Sequence, residues 1–212
     1  VAVAAGIVPM AVGTDTSHSI TACAMGNGIC GLKPPAGVLS QEGIIPISKT
    51  FDSAGAMAQN VSDTLKLYSA MRDEPLPEIT QTPAGKLRIS VNIANADMNP
   101  QERRKYLDGV IETLRNNGVV ISEVNQPPTP ELPSIMKREF GTGLEAYLIK
   151  SGAKLKTLKQ IVEYYEAHPD TMMKYGCDLL RGALYDSSQE AYVVEEYQKA
   201  MKSRANEKQR IT

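Results

Sequence analysis

KLRISVNIANADMNPQERRKYLDGVIETLRNNGVVISEV, residues 86 to 124, is the stretch on which the fold class turns. Leu87, Ile89, Val91 and Ile93 alternate with polar residues, the period of a strand with one buried face. Asn99 suits a helix N-cap, and Pro100 suits the first helical position, where a missing N–H costs nothing. Leu107, Val110, Ile111 and Leu114 then share one face of a helix that Gly118 ends. Val119 to Val124 is a second strand. Strand, helix, strand in that order predicts a βαβ-type unit with a mixed or parallel sheet, hence an α/β fold.

Proline-rich connectors flank this stretch. Asp73 to Pro83 reads DEPLPEITQTP, and Asn125 to Pro133 holds Pro127, Pro128, Pro130 and Pro133. Prolines so dense exclude both helix and central strand. Upstream, the chain is rich in Gly, Ala, Ser and Thr, and Val61 to Met71 reads as a helix through Val61, Leu65, Tyr68 and Leu67. Downstream, helices are expected near Glu131 to Lys150, Thr157 to Ala167, Thr171 to Leu184 and Ser188 to Lys208. The expected organisation is a partial core over residues 1–95, then a strand–helix unit and a largely helical region of the same domain over 96–212.

Composition excludes several classes of partner. In 212 residues, 23 Lys and Arg oppose 24 Asp and Glu, a net charge of -1. That balance leaves no field to hold a phosphate backbone, so nucleic acid is not an expected partner. The apolar run Val1 to Val12 is broken by Gly6 and Pro9. It falls short of the roughly 20 residues that span a bilayer and lacks a basic leader segment, so no membrane association is expected. The basic residues near the C-terminus (Lys199, Lys202, Arg204, Lys208, Arg210) alternate with Glu195, Glu196 and Glu207, as on a solvated helix face. Cys23, Cys30 and Cys177 cannot all pair within one chain, and the two histidines, His18 and His168, add no metal-ligand spacing. An odd, low cysteine count suits a reducing compartment, and a cytoplasmic location is expected.

Gly26-Asn-Gly28-Ile-Cys-Gly31, with Asp52 about 20 residues on, spells a dinucleotide fingerprint. The mechanism needs the third glycine to open a helix that receives the pyrophosphate. Leu-Lys-Pro-Pro follows Gly31 and cannot do so; no cofactor and no metal are expected. His18 beside Ser19 suggests a nucleophile and its base, but neighbours in extended chain point to opposite faces, so His18 is expected to line a turn. His168, before Pro169, is expected to end a helix. Gly13-Thr-Asp-Thr-Ser-His-Ser-Ile20 gathers small and hydroxyl residues in one loop. A serine there becomes nucleophilic only with a base nearby and backbone N–H groups to hold an oxyanion.

Taken with its neighbours, that loop resembles the amidase signature family of serine hydrolases. Val1 to Thr16 fits the segment leading to the family's nucleophile, and Gly28-Ile-Cys-Gly-Leu-Lys-Pro34 fits the G-x-x-G-L-K-P stretch after it. Gly43-Ile-Ile-Pro-Ile-Ser48 and Phe51-Asp-Ser-Ala-Gly-Ala-Met57 fit the next two motifs, and Val61 to Met71 the helix that follows. Glu139 to Leu148, Leu155 to Pro169 and Tyr175 to Leu180 also resemble family members. The family hydrolyses linear amides with a Ser–cis-Ser–Lys triad. The resemblance implies Ser19 as the acyl-forming nucleophile and the backbone N–H groups of Thr16, Ser17, His18 and Ser19 at the oxyanion hole. The sequence departs from the pattern at Ser17 and His18, where the family has glycines; at Thr21, where it has Arg; at Cys23, where it has Pro; and at Gln59, where it has Arg. Lys33, in G-L-K-P, does not hold the catalytic lysine's place. The family's segments with that Lys and the cis-serine precede the stretch matched by Val1, and its last core segment follows the stretch matched by Thr212.

The resemblance implies a small-molecule amide as substrate and a mixed α/β sheet of the amidase signature type, with an incomplete core and a largely helical C-terminal half. The chain is expected to be a truncated or degenerate member with little activity of its own. The alternative is a non-catalytic assembly protein derived from an amidase. A core cut at both ends would leave the apolar Val1 to Val12 to be covered by self-association or a partner.

Overall fold

The computed structural model describes residues 1–73, 75–76, 82–92, 100–124, 132–188 and 190–211. The expected N-cap Asn99, the strand residue Ile93 and most of both proline-rich connectors lie outside them. The chain divides into two compact units, Val1–Leu76 with Glu131–Thr212, and Pro77–Pro130.

The second unit holds the predicted βαβ element. Strand β4 (Arg88–Asn92) pairs in parallel with β5 (Val120–Val124), Ile89 opposite Ile121. Helix α3 (Pro100–Asn116) joins them, and Ile111 is buried on it. Gly118, at φ 83°, ends the helix, and the Val119 amide turns back to the Leu114 carbonyl at 3.1 Å. Val110, expected inward, is exposed.

In the first unit, three strands form an antiparallel sheet in the order β1 (Met10–Asp15), β3 (Ser53–Ala58), β2 (Cys30–Leu32). The register sets Met10 and Cys30 on either side of Ala58, and Asp15 opposite Ser53. The central strand is Ser-Ala-Gly-Ala-Met-Ala, small enough for both faces to be covered closely. One core cluster gathers Leu39, Ala56 and Tyr68. Tyr68 comes from α2 (Val61–Ala70), whose first turn is capped by the Asn60 side chain on the Asp63 amide at 2.9 Å. Val61, expected on the inner face, is 63% exposed because it sits in that first turn.

A second cluster (Leu144, Leu158, Val162, Ala183) joins the helices of the C-terminal half. Its residues lie on α4 (Leu132–Lys150), α5 (Leu158–Ala167) and α7 (Asp178–Asp186); the single turn α6 (Pro169–Met172) and α8 (Ala191–Ile211) complete this half. Thr157 and Gln160 form a reciprocal capping box at the start of α5. The expected helix Thr171 to Leu184 is two elements. Pro169 begins a new turn, and the chain reverses at Gly176, φ 73°. His168 closes α5 as expected, its Nδ1 2.8 Å from the Tyr164 carbonyl and its ring stacked on Tyr164. The fold is thus mixed α/β with a largely helical C-terminal half. No helix among the described residues is long and apolar enough to cross a membrane.

Candidate active site

The segment Gly13 to Ile20 lies where β1 ends and helix α1 (Thr21–Gly26) begins. The chain here is a turn and not extended. The Ala22 amide donates to the His18 carbonyl at 2.8 Å, so helical bonding starts at His18. His18 and Ser19 are exposed, Ser17 is half-buried and Thr16 is buried. Ser17 and His18 hold negative φ, so the turn closes without the left-handed backbone that glycine would permit.

Two buried acids fix the turn. Asp15, 1% exposed, accepts the Ile20 amide at 2.7 Å and the Thr21 amide at 3.4 Å on Oδ2. These are among the N–H groups a helix start leaves unsatisfied, and a carboxylate suits the positive end of a helix. Oδ1 of Asp15 is buried and accepts nothing among the described residues. Asp52, 4% exposed, accepts the Thr16 hydroxyl at 2.6 Å on Oδ1, and the Ile47 and Ser48 amides on Oδ2, each at 2.9 Å. The N–H groups of Ser17, His18 and Ser19, by contrast, find no acceptor among the described residues. Three adjacent donors, that of the exposed Ser19 among them, are thus left without an acceptor among the described residues. The Ser19 hydroxyl makes no hydrogen bond among the described residues.

The residues around the turn explain the small side chains of the sequence. Ile20, fully buried, is the apolar anchor. Gly31 lies inside β2, not at a helix start. A Cβ there would stand 2.7 Å from the Ala24 Cβ and 3.2 Å from Ile20 Cγ2, so glycine is required for α1 to rest on the sheet. Lys33 donates to the Phe51 carbonyl at 3.0 Å, a bond that ties β2 to the loop before β3. Thr21 and Cys23 are exposed on α1, and Gln59 donates to the Val3 carbonyl at 2.9 Å.

Sequence reading passed over Asp15 and Glu139 as site residues and met Asp52 only as a false ribose ligand. Asp15 sits between Thr14 and Thr16 with no basic neighbour, a pattern that favours a carboxylate bonded to backbone over one paired with a cation; Asp52, which follows Lys49, Thr50 and Phe51, carries no such signal. Glu139, on α4, accepts the Ser48 hydroxyl, the Thr50 hydroxyl at 2.6 Å, the Thr50 amide at 3.0 Å and the Tyr197 hydroxyl at 2.7 Å. Burial opposes its charge, but bonds from Ser48, Thr50 and Tyr197 outweigh that and hold the carboxyl below the usual range. Burial and the bond to Glu139 push the Tyr197 hydroxyl up to about 12.

The sequence profile described as Amidase matches residues 1–212. The chain is 31% identical over 182 residues to a glutamyl-tRNA(Gln) amidotransferase subunit of Lactobacillus acidophilus, covering 77% of this chain and 38% of that protein. The native peptide amidase of Stenotrophomonas maltophilia superposes with a TM-score of 0.77 at 28% identity, over 95% of this chain and 45% of that one. An allophanate hydrolase of Kluyveromyces lactis shares the fold, with a TM-score of 0.64 at 24% identity. The chain spans less than half the length of these relatives.

Proposed function

The chain belongs to the amidase family, and on that premise we propose that it is built around cleavage of a linear amide C–N bond, with Ser19 as the nucleophile. The observation that carries this reading is the turn at the start of α1. An exposed serine stands beside the free N–H groups of Ser17, His18 and Ser19, on a backbone that Asp15 and Asp52 hold still. In the reaction, Ser19 Oγ bonds to the carbonyl carbon and the carbonyl oxygen takes the developing charge against the N–H groups of Thr16 to Ser19. The C–N bond then breaks, and the hydroxyl proton leaves with the amine. Water displaces the acyl group from Ser19.

The proton needs a base, and in the family that is the Lys acting through the bridging serine. The Ser19 hydroxyl has no such partner among the described residues. The 212-residue chain by itself is therefore expected to turn amides over weakly, since the full apparatus of a serine hydrolase contributes on the order of a millionfold. A fluorophosphonate probe tests the core of the reading. Slow covalent labelling of the chain, absent in Ser19→Ala, is the expected result. Labelling that survives Ser19→Ala, or none at any probe concentration, overturns it. Cys23, Cys30 and Cys177 are free thiols, in keeping with a cytoplasmic setting as part of the same proposal.

A second reading is favoured by a different observation. Val1, Ile7 and Val12 are 84%, 74% and 58% exposed, and β1 pairs only with β3 among the described residues. An open strand edge with apolar side chains associates readily, so the chain would self-associate along β1 and serve as an assembly protein. The relative from Lactobacillus acidophilus is by name one subunit of an enzyme.

A further inference from the structure

The turn that carries Ser19 is tied to residues far from it in sequence. Thr16 Oγ1 donates to Asp52, Asp52 accepts the Ser48 amide, and the Ser48 hydroxyl donates to Glu139, which also receives Tyr197 from α8. Every member of the chain from Thr16 to Glu139 is buried, Ser48 completely. Ser48 is bonded at both its amide and its hydroxyl, and Asp52 at both carboxylate oxygens, so neither rotates without breaking a bond. In a buried setting such bonds are strong and costly to leave half-made. Arg138, next to Glu139, reaches the Asp186 and Ser188 carbonyls at 3.2 and 2.6 Å and lies 5.6 Å over the Tyr197 ring, which fixes the donor side of the chain.

We infer that Glu139 is a positioning residue for the turn bearing Ser19, acting through Ser48 and Asp52 on Thr16. Its link to catalysis rests on the proposed role of Ser19; its link to the geometry of the turn does not. Glu139→Gln keeps the shape but puts an NH2 group where an acceptor stood, so either the Thr50 amide faces another donor or the Thr50 and Tyr197 hydroxyls must turn round to accept, and the charge that all four bonds point to is lost. Tyr197→Phe removes one donor only and is the milder variant. Leu158→Ala, in the separate helical cluster, lowers stability without touching the chain of bonds.

The test is hydrogen exchange at the Ile20 and Thr21 amides, the two held by Asp15, with the phosphonate labelling rate of Ser19 as a second readout. Glu139→Gln is expected to speed exchange at both amides and to slow labelling roughly tenfold, as a small misplacement of reacting groups does. Tyr197→Phe should do the same to a lesser degree, and Leu158→Ala should leave both readouts unchanged below its melting temperature. Combined with Thr16→Val, Glu139→Gln should depart from additivity in exchange rate by at least about threefold, since the two share one network. An additive cycle, or exchange unaltered in both Glu139→Gln and Tyr197→Phe, overturns the inference. If the wild-type chain takes no label, the reading of Ser19 fails and exchange alone decides the role of Glu139.

Discussion

Glu139 keeps a negative charge inside the first unit without a cation against it among the described residues; hydroxyls and one amide hold it there. Its carboxyl is held below the ordinary range because those donors outweigh the cost of burial. The sign of the pH effect follows. A depressed carboxyl stabilises the fold above its unfolded value, near 4.3 for Glu, and that contribution is lost as pH falls through the lower folded value. Melting temperature should therefore drop on acidification, and Glu139→Gln should flatten that acid limb. Tyr197 behaves oppositely. Raised to about 12, it stabilises fully below the unfolded value near 10 and loses that as pH rises through 12. Tyr197→Phe should flatten the alkaline limb. Glu139→Ala, which strands several buried donors, should cost on the order of 3 kcal/mol in urea unfolding. None of these partnerships was legible in the sequence, because Thr16 meets Asp52 across 36 positions and Ser48 meets Glu139 across 91. Ser19, the nucleophile we propose, was singled out by the motif run around it.

At the scale of elements, α1 rests on β2 only because Gly31 has no side chain. Gly31→Val should destabilise the fold by roughly 1–3 kcal/mol, the usual cost of overpacking, and should disturb the Ser19 turn, since the clash falls on Ala24 and Ile20. A thermal melt beside the labelling rate would read both. Thr157→Ala, which removes the capping box of α5, should lower stability by about 1 kcal/mol and leave labelling unchanged. Long periodic elements were legible: α2, α3 and the parallel pair β4 and β5 lie where the apolar spacing puts them. The strands β1, β2 and β3 carry no such period. Gly13 in β1, and the Ala-Gly-Ala of β3, pack by being small, and smallness leaves no alternation to read. The break between α6 and α7 was missed because helical spacing continues across Gly176, while its backbone does not.

For the whole molecule, the exposed edge of β1 makes a prediction in solution. Light scattering should report a species larger than the 23.0 kDa chain, insensitive to salt because apolar contact drives it. Val12→Lys should restore a monomer, as charge on an edge strand opposes pairing. A wild-type monomer at all concentrations would count against the assembly reading. The sequence by itself determined the family and the α/β class, since ordered local motifs and hydrophobic period survive in one dimension, and it pointed to Ser19 as the serine we propose. The tertiary structure decided how that serine is held. Asp52 and Glu139 acquire their roles only when distant segments meet, Thr16 on Asp52 and Ser48 on Glu139, for a buried carboxylate is defined by the donors that folding brings to it.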